Sequence, residues 1–145
     1  LTLAMTLGMS ISVFAATGAV NGYTATGSST ITRTAASAST TYGKSTGSIS
    51  VDSTYSYVNV YTLATGTSTK SKGYYSSVTL MFSAPYNCHS VRIRSSHKVS
   101  AYGQTWTANS TAVYWFYQYN LVILLKEKDE EEKIWTKSQK RILKN

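Results

Sequence analysis

The sequence predicts an all-β fold, a small antiparallel β-sandwich or barrel in residues 16–119, from composition, alternation and turn signals. Serine and threonine make up 37 of the 99 residues from 16 to 114, and ten more are tyrosines. β-Branched and aromatic residues favour strands, and the helix formers Glu, Gln, Leu and Met are nearly absent. Short alternating runs separated by glycines are typical of many short strands joined by tight turns.

The fold is predicted to follow a signal-peptide remnant. Residues 1–15 carry no charge and resemble the apolar part of a secretory signal. Val13 and Ala15 have small side chains at the positions that signal peptidase reads, so we expect cleavage after Ala15. The signal is expected to be partial, because no Met or basic segment precedes it. The alternative is a buried helix or strand, since the segment is too short to span a membrane.

Residues 120–145 are predicted to form a short charged helical tail. They contain five of the six acidic residues of the chain and seven of its fourteen Lys and Arg, with no Gly or Pro. Asp129 and Lys133 have the spacing of an ion pair on an exposed helix. Two interpretations stay open. The tail is either a native helix or sequence translated beyond the natural stop by frameshift or readthrough.

Within 16–119, period-two alternation predicts the strands in order. It puts Val91 and Ile93 on one face of a strand, and Arg92 and Arg94 on the other. Residues 54–63 are apolar on both faces, which predicts a central strand. The predicted strands are 30–32, 48–51, 54–63, 77–82 and 90–95, with a further strand or hairpin over 97–108 interrupted at Gly103.

Glycines between these runs predict the turns, with Pro85 and Asn87 marking one more break. The glycines concerned are Gly22, Gly27, Gly43, Gly47, Gly66, Gly73 and Gly103. Aliphatic residues are few, so tyrosines are expected to supply much of the buried area. Residues 16–47 have the fewest large apolar side chains and are expected to be the least ordered part.

The acidic residues exclude several enzyme classes. Asp52 is the one Asp or Glu between residues 16 and 119, whereas paired-carboxylate hydrolysis needs two carboxylates and carboxylate-built Ca²⁺ sites need several. A Ser-His-Asp set could combine Asp52 with His89 or His97, but no Gly-x-Ser-x-Gly motif accompanies it. We therefore predict a protein that is not an enzyme and has no cofactor.

Metal binding is also not predicted. Cys88, His89 and His97 are the soft ligands of 16–119, and adjacent residues on a strand point to opposite faces. Cys88 is interpreted as a small buried hydrophobe, and both histidines as solvated or near the surface. A free thiol or an intermolecular disulfide is the alternative for this single cysteine.

The charge pattern is the feature that indicates a partner. Residues 16–119 have a net charge of +6, with seven Lys and Arg against Asp52. A cationic surface that carries aromatic residues attracts anionic polymers or membranes. The predicted ligand-binding residues are Arg92, Arg94, Lys98, Tyr102 and Trp106. Core packing is the alternative for Trp106, and a solubilising role is the alternative for the charge.

These observations predict a protein secreted to the bacterial cell surface. The function expected is binding of anionic cell-surface polymers or lipids through a cationic strand face, with peripheral membrane contact. A specific nucleic-acid partner is not expected, because the signal argues against an intracellular role. The alternative is a bacteriocin-like antimicrobial protein that acts on a target membrane or wall.

Overall fold

A computed structural model describes residues 15–74 and 76–114, together with Glu130 and Lys133. Across the described residues the chain forms eight β-strands, all paired antiparallel. The strands are β1 (Ala16–Val20), β2 (Tyr23–Ile31), β3 (Ala35–Tyr42), β4 (Ser48–Asn59), β5 (Thr65–Tyr74), β6 (Ser77–Ser83), β7 (Cys88–Ala101) and β8 (Gln104–Val113).

The strands form two four-stranded sheets that pack face to face as a sandwich. Sheet I has the order β1-β2-β3-β6, and sheet II has the order β5-β4-β7-β8. Strands β2 and β3 pack over β7, and β6 packs over β4 and β5. The prediction of an antiparallel all-β fold is therefore confirmed, and of its two forms the sandwich is the one adopted.

The predicted signal peptide lies outside the described residues, except for Ala15. The charged tail is described at Glu130 and Lys133, which are helical and whose Nζ and Oε1 atoms are 2.8 Å apart. The rest of the predicted tail, including Asp129, lies outside the described part of the chain.

Two hairpins have turns in which both central residues adopt a left-handed backbone conformation. Asn21 and Gly22 have φ angles of 48° and 79°, and Tyr102 and Gly103 have φ angles of 51° and 77°. Two positive φ values in a two-residue loop match the twist of the strands that the loop joins. Of the strand or hairpin predicted over 97–108, the hairpin is the one formed, and its first strand, β7, also includes the run predicted at 90–95.

Strand β4 is central in sheet II, as predicted, but its bounds differ. The runs predicted at 48–51 and 54–63 form one strand that ends at Asn59. The Asn59 side chain ends it by accepting hydrogen bonds of 3.0 Å from the backbone N–H groups of Tyr61 and Thr62. A side-chain cap of this kind replaces the strand ladder with a turn.

Two other predictions about the chain were wrong. Residues 16–47, expected to be the least ordered part, form three of the four strands of sheet I. Gly27, Gly66 and Gly73 lie within strands rather than in turns. A Cβ at Gly27 would overlap the His97 ring, and one at Gly66 would overlap the Tyr57 ring. These two glycines therefore make room for a ring on the neighbouring layer or strand.

The core contains fewer tyrosines and more hydroxyls than expected. Tyr42, Tyr55 and Tyr114 are buried, whereas Tyr61, Tyr74, Tyr86 and Tyr102 are exposed. Small side chains fill much of the remaining interior. The buried polar residues are Ser29, Thr40, Ser53, Ser90, Ser95, His97 and Ser110.

One continuous chain of hydrogen bonds joins the two sheets at the centre of the sandwich. His97 is 1% exposed, its Nδ1 lies 2.7 Å from Thr40 Oγ1, and its Nε2 lies 2.7 Å from Ser110 Oγ. From Ser110 the chain runs through Ser29 and Ser95 to Ser53, with oxygen separations of 2.6, 2.7 and 2.9 Å. Buried polar groups need such partners, because an unpaired one costs about 1–3 kcal/mol.

The expectation of a solvated or near-surface His97 was therefore wrong. Its alternation with Ile93 and Val99, which are both buried, puts its ring on the inner face of sheet II. Burial lowers the pKa of His97. The ring is thus neutral near pH 7, and each ring nitrogen has a hydroxyl partner.

Lys70 connects the two sheets at the side of the sandwich where the edge strands β5 and β6 lie. Lys70 Nζ of β5 donates a hydrogen bond of 2.6 Å to the Met81 carbonyl oxygen of β6. The same ammonium lies 4.9 Å from the centre of the Phe82 ring. Lys70 thus connects the edge strands of the two sheets.

We expect the free energy of unfolding to fall as the pH drops below about 6.5, the ordinary pKa of histidine. In that range the unfolded chain binds a proton that folded, buried His97 does not, so protonation favours unfolding. Above that range His97 is neutral in both states and adds no pH dependence. Urea denaturation between about pH 8 and pH 5 measures the slope, at most about 1.4 kcal/mol per pH unit for one histidine.

Partial burial and the charge of Arg33 also lower the pKa of His89, so two variants separate the histidines. His97→Gln should lose most of the pH dependence, and His89→Gln should keep most of it. A stability profile of the parent chain that is flat across this range would contradict the assignment to His97.

Gly27→Ala should destabilise the fold by about 1–3 kcal/mol, because the added methyl group overlaps the His97 ring in a packed interior. Gly43→Ala is the matched control, since a Cβ at residue 43 has its nearest neighbour at 3.6 Å. The urea midpoint of each variant measures the effect. Equal midpoints for the two variants would contradict this prediction, because they would show that the interior accommodates a methyl group at residue 27.

Candidate functional site

Strand β7 carries three cationic side chains on the outer face of sheet II. Arg94 and Lys98 are exposed and Arg92 is half-buried, while Ile93, Ser95, His97 and Val99 are buried on the other face. We call Arg92, Arg94 and Lys98 the cationic row. The predicted orientation of the two arginines is confirmed, and Lys98 joins them on the same face.

A β-bulge changes the alternation at the start of this row. Ser56 of β4 pairs with Arg92, and the next residue, Tyr57, pairs with Ser90. Val91 is therefore the extra residue, and it is partly exposed beside Arg92 instead of sharing the buried face of Ile93. Ser90 is buried and lies 2.7 Å from the Tyr55 hydroxyl.

The cationic row has no protein partner in the part of the chain that the structure describes. No side-chain hydrogen bond or ion pair engages Arg92, Arg94 or Lys98 there. Their donors face solvent, and so they are available to an anionic ligand. An Arg guanidinium can bind a phosphate or carboxylate through two parallel hydrogen bonds.

Polar side chains surround Arg94 in two rows that cross all four strands of sheet II. The strand register aligns Arg94 with Thr54 and Thr111, and aligns Ser96 with Asp52 and Asn109. Hydrogen bonds within the rows join Thr54 to Thr69 at 3.3 Å, Ser96 to Asn109 at 2.6 Å, and Ser71 to Asp52. The two rows are Thr69-Thr54-Arg94-Thr111 and Ser71-Asp52-Ser96-Asn109.

All residues of these rows except Ser71 line an open depression of about 430 Å³. Its lining includes Asp52, Thr54, Arg94 and Asn109, so it offers a cation, an anion, a hydroxyl and an amide to one ligand. Asp52 as part of this surface was not foreseen, because its place beside the cationic row depends on the pairing of β4 with β7. Alternation within one strand carries no signal for that pairing.

Tyr102 and Trp106 lie apart from the cationic row. Tyr102 is in the β7–β8 turn, where its hydroxyl is 2.9 Å from Thr46 Oγ1 and its ring centre is 5.2 Å from Lys44 Nζ. Trp106 is half-buried on the inner side of β8, where its ring covers Gly18 of β1. The structure thus brings together three of the five predicted residues, and Trp106 has the packing position considered as its alternative.

Lys44 and two tyrosines form a cluster at the end of the sandwich. The ammonium lies 4.7 Å from the centre of the Tyr23 ring as well as close to Tyr102. Hydrogen bonding to Tyr23 and Tyr102 raises the pKa of Lys44. Hydrogen bonds from Thr46 and then Lys44 lower the pKa of the Tyr102 hydroxyl. The Lys44 ammonium therefore contacts two rings of the protein itself.

The Ser-His-Asp set that combines Asp52 with His97 is not assembled. Asp52 is exposed on the outer face of sheet II, whereas His97 is buried on its inner face and pairs with Val51. His89 is instead the acceptor of a 3.0 Å hydrogen bond from Arg33 Nε to its Nε2. Within the described residues, no group of three His, Cys, Asp or Glu side chains comes close enough to hold a metal ion.

Comparisons with protein-family models, with curated proteins and with solved structures found no match to this chain. Among the residues that the structure describes, no helix is both long and apolar enough to cross a membrane.

Cys88 is a free, buried cysteine at the start of β7. We therefore expect its thiol to react with a water-soluble disulfide reagent slowly in the folded protein and at once in urea. The reagent's absorbance and a non-reducing gel measure this, with Cys88→Ser as the blank. A rapid reaction without urea, or a dimer that Cys88→Ser abolishes, would contradict the buried position.

Proposed function

We propose that this chain is a secreted, non-enzymatic β-domain that binds anionic components of the bacterial cell envelope through the outer face of sheet II. The observation that carries the proposal is the cationic row, three side chains on one strand with no partner among the described residues. Charges on a structural surface usually face an opposite charge or are spread singly. A row whose side chains form no ion pair with the described residues instead suits an external anion.

The spacing of the row favours an extended ligand with repeated charges. Alternate residues of a strand are about 6.6 Å apart, which separates Arg92 from Arg94 by that distance and Arg94 from Lys98 by about 13 Å. An anionic polymer that lies along β7 can meet all three cations in turn. The open form of the depression supports the same choice, because an enclosed pocket would favour a small ligand.

Hydroxyl-bearing residues beside the row supply the remaining contacts. Thr54 of β4 and Thr111 of β8 are exposed on either side of Arg94. Each hydroxyl can donate to a phosphate or sugar oxygen and accept from a sugar hydroxyl. Phosphate-containing and carboxylate-containing wall polymers and anionic lipid headgroups are therefore the proposed ligands. The uncharged segment 1–15 supports export to the surface where such ligands occur.

Neutralising the cationic row should weaken binding to a polyglycerol phosphate wall polymer by about tenfold or more. The triple variant Arg92→Gln, Arg94→Gln, Lys98→Gln loses three exposed charge pairs, each worth up to about 1 kcal/mol. Equilibrium binding at low salt measures the loss, and binding of the parent chain should weaken as salt rises.

The matched control is Lys44→Gln, Lys72→Gln, Lys133→Gln, which removes the same charge from one half-buried and two exposed positions outside the row. If both triple variants lost the same affinity, binding would depend on net charge alone, and a specific role for this face would be contradicted. Dye release from anionic lipid vesicles by the full chain tests the membrane-acting alternative. Release at micromolar protein would replace the envelope-binding proposal with the antimicrobial one.

A further inference from the structure

Asp52 lies inside the surface that the cationic row forms. It is directly opposite Ser96, so Arg94 and Lys98, two residues either side of Ser96, are both its diagonal neighbours. Diagonal neighbours on one face of an antiparallel pair are about 7–8 Å apart, within reach of long side chains. The one acidic residue of 16–119 is thus placed between two of its seven cations.

These opposite charges are not paired with each other. Within the described residues, no ion pair joins Asp52 to Arg94 or Lys98. The Asp52 carboxylate accepts a hydrogen bond from the Ser71 hydroxyl, on the side away from β7. The Arg94 side chain has no hydrogen bond to the described residues. A cation and an anion therefore border the same 430 Å³ depression, each with unused hydrogen-bonding capacity.

A pure polyanion fits this arrangement poorly. Its charges would be attracted by Arg94 and Lys98 but repelled by the Asp52 carboxylate between them. A ligand unit that bears an ammonium group between two anionic groups would satisfy all three side chains. The charges along the surface are cation, anion, cation. The complementary ligand therefore has the opposite sign at each position: anion, cation, anion.

We propose that the depression, together with the neighbouring Lys98, selects a zwitterionic repeat, a phosphodiester polymer whose units carry ammonium groups as aminoacyl esters or amino sugars. This inference rests on the proposed function and names the ligand class of the same face. Arg94 binds one phosphate through its guanidinium, Lys98 binds the next, and Asp52 binds the ammonium between them. Thr54 and the Asn109 amide are placed to contact the hydroxyls of the repeat.

The outer face of sheet I offers no such site. Its four strands, β1, β2, β3 and β6, contain no charged residue at all. Hydroxyls cover that face as they cover sheet II, so hydroxyls alone do not distinguish the two surfaces. The charges at positions 52, 94 and 98 do.

The test compares two forms of one polymer with the full chain. The probes are polyglycerol phosphate that carries D-alanyl esters and the same material after mild alkaline removal of the alanine, bound at neutral pH and low salt. The parent chain should bind the alanylated form about fivefold more tightly, the upper range for an exposed charge pair. Arg94→Gln should weaken the binding of both forms.

Asp52→Asn is the decisive variant, since the amide oxygen can still accept from Ser71 while the charge is lost. It should lose the preference for the alanylated form and should bind the alanine-free form more tightly than the parent does. Glu130→Gln makes the same change in net charge at an exposed residue outside the face, and should keep the parent's preference. Asp52→Ser replaces Asp52→Asn if thermal melting shows that the latter is unfolded.

The outcomes separate this inference from the proposed function. Equal or weaker binding of the alanylated form by the parent, or a preference that Asp52→Asn retains, would overturn the zwitterionic site and leave the envelope-binding proposal in place. No binding of either polymer by the parent would overturn both. A preference lost in Asp52→Asn and kept in Glu130→Gln is the result expected.

Discussion

The hydrogen bonds of the buried His97 ring are the constraint on which the sandwich depends. One ring nitrogen meets Thr40 of sheet I, and the other meets Ser110 of sheet II, which in turn contacts Ser29 across the interior. A shift of either sheet would leave several buried polar groups without partners, each at a cost of about 1–3 kcal/mol. An apolar core of similar size tolerates sliding better, because its contacts have no direction. The network therefore fixes how the two layers align.

Strand β7 contributes residues both to the buried hydrogen-bond network and to the charged outer surface. Alternate residues of β7 point inward to the network and outward to the cationic row, so the register that satisfies His97 also sets the position of Lys98 beside it. The buried Ser53–Ser95 contact does the same for β4 against β7. Asp52 precedes Ser53 and Ser96 follows Ser95, so that in this antiparallel pair they become neighbours on the outer face. The arrangement of charges outside is thus a consequence of hydrogen bonding inside.

Local patterns predicted part of this structure. Alternation located β6 and the outward arginines, and Gly103 located the last hairpin, because these depend on neighbours in sequence. The same alternation, continued from Ile93, would have placed His97 in the core. The bulge at Val91 and the position of Asp52 depend on which strands pair and in which register. Patterns within one strand do not contain that information. Gly27 was mistaken for a turn because its role is to admit a ring from the opposite sheet.

The contact between Lys70 and the Met81 carbonyl has a consequence for how copies of the protein behave toward each other. Edge strands expose backbone groups to which another chain can add a strand, and charged side chains oppose such addition. Here one ammonium occupies a carbonyl oxygen of β6 and also brings its charge to that edge. In a chain with so few charged residues, a single lysine at this position limits the growth of the sheet from one molecule into the next.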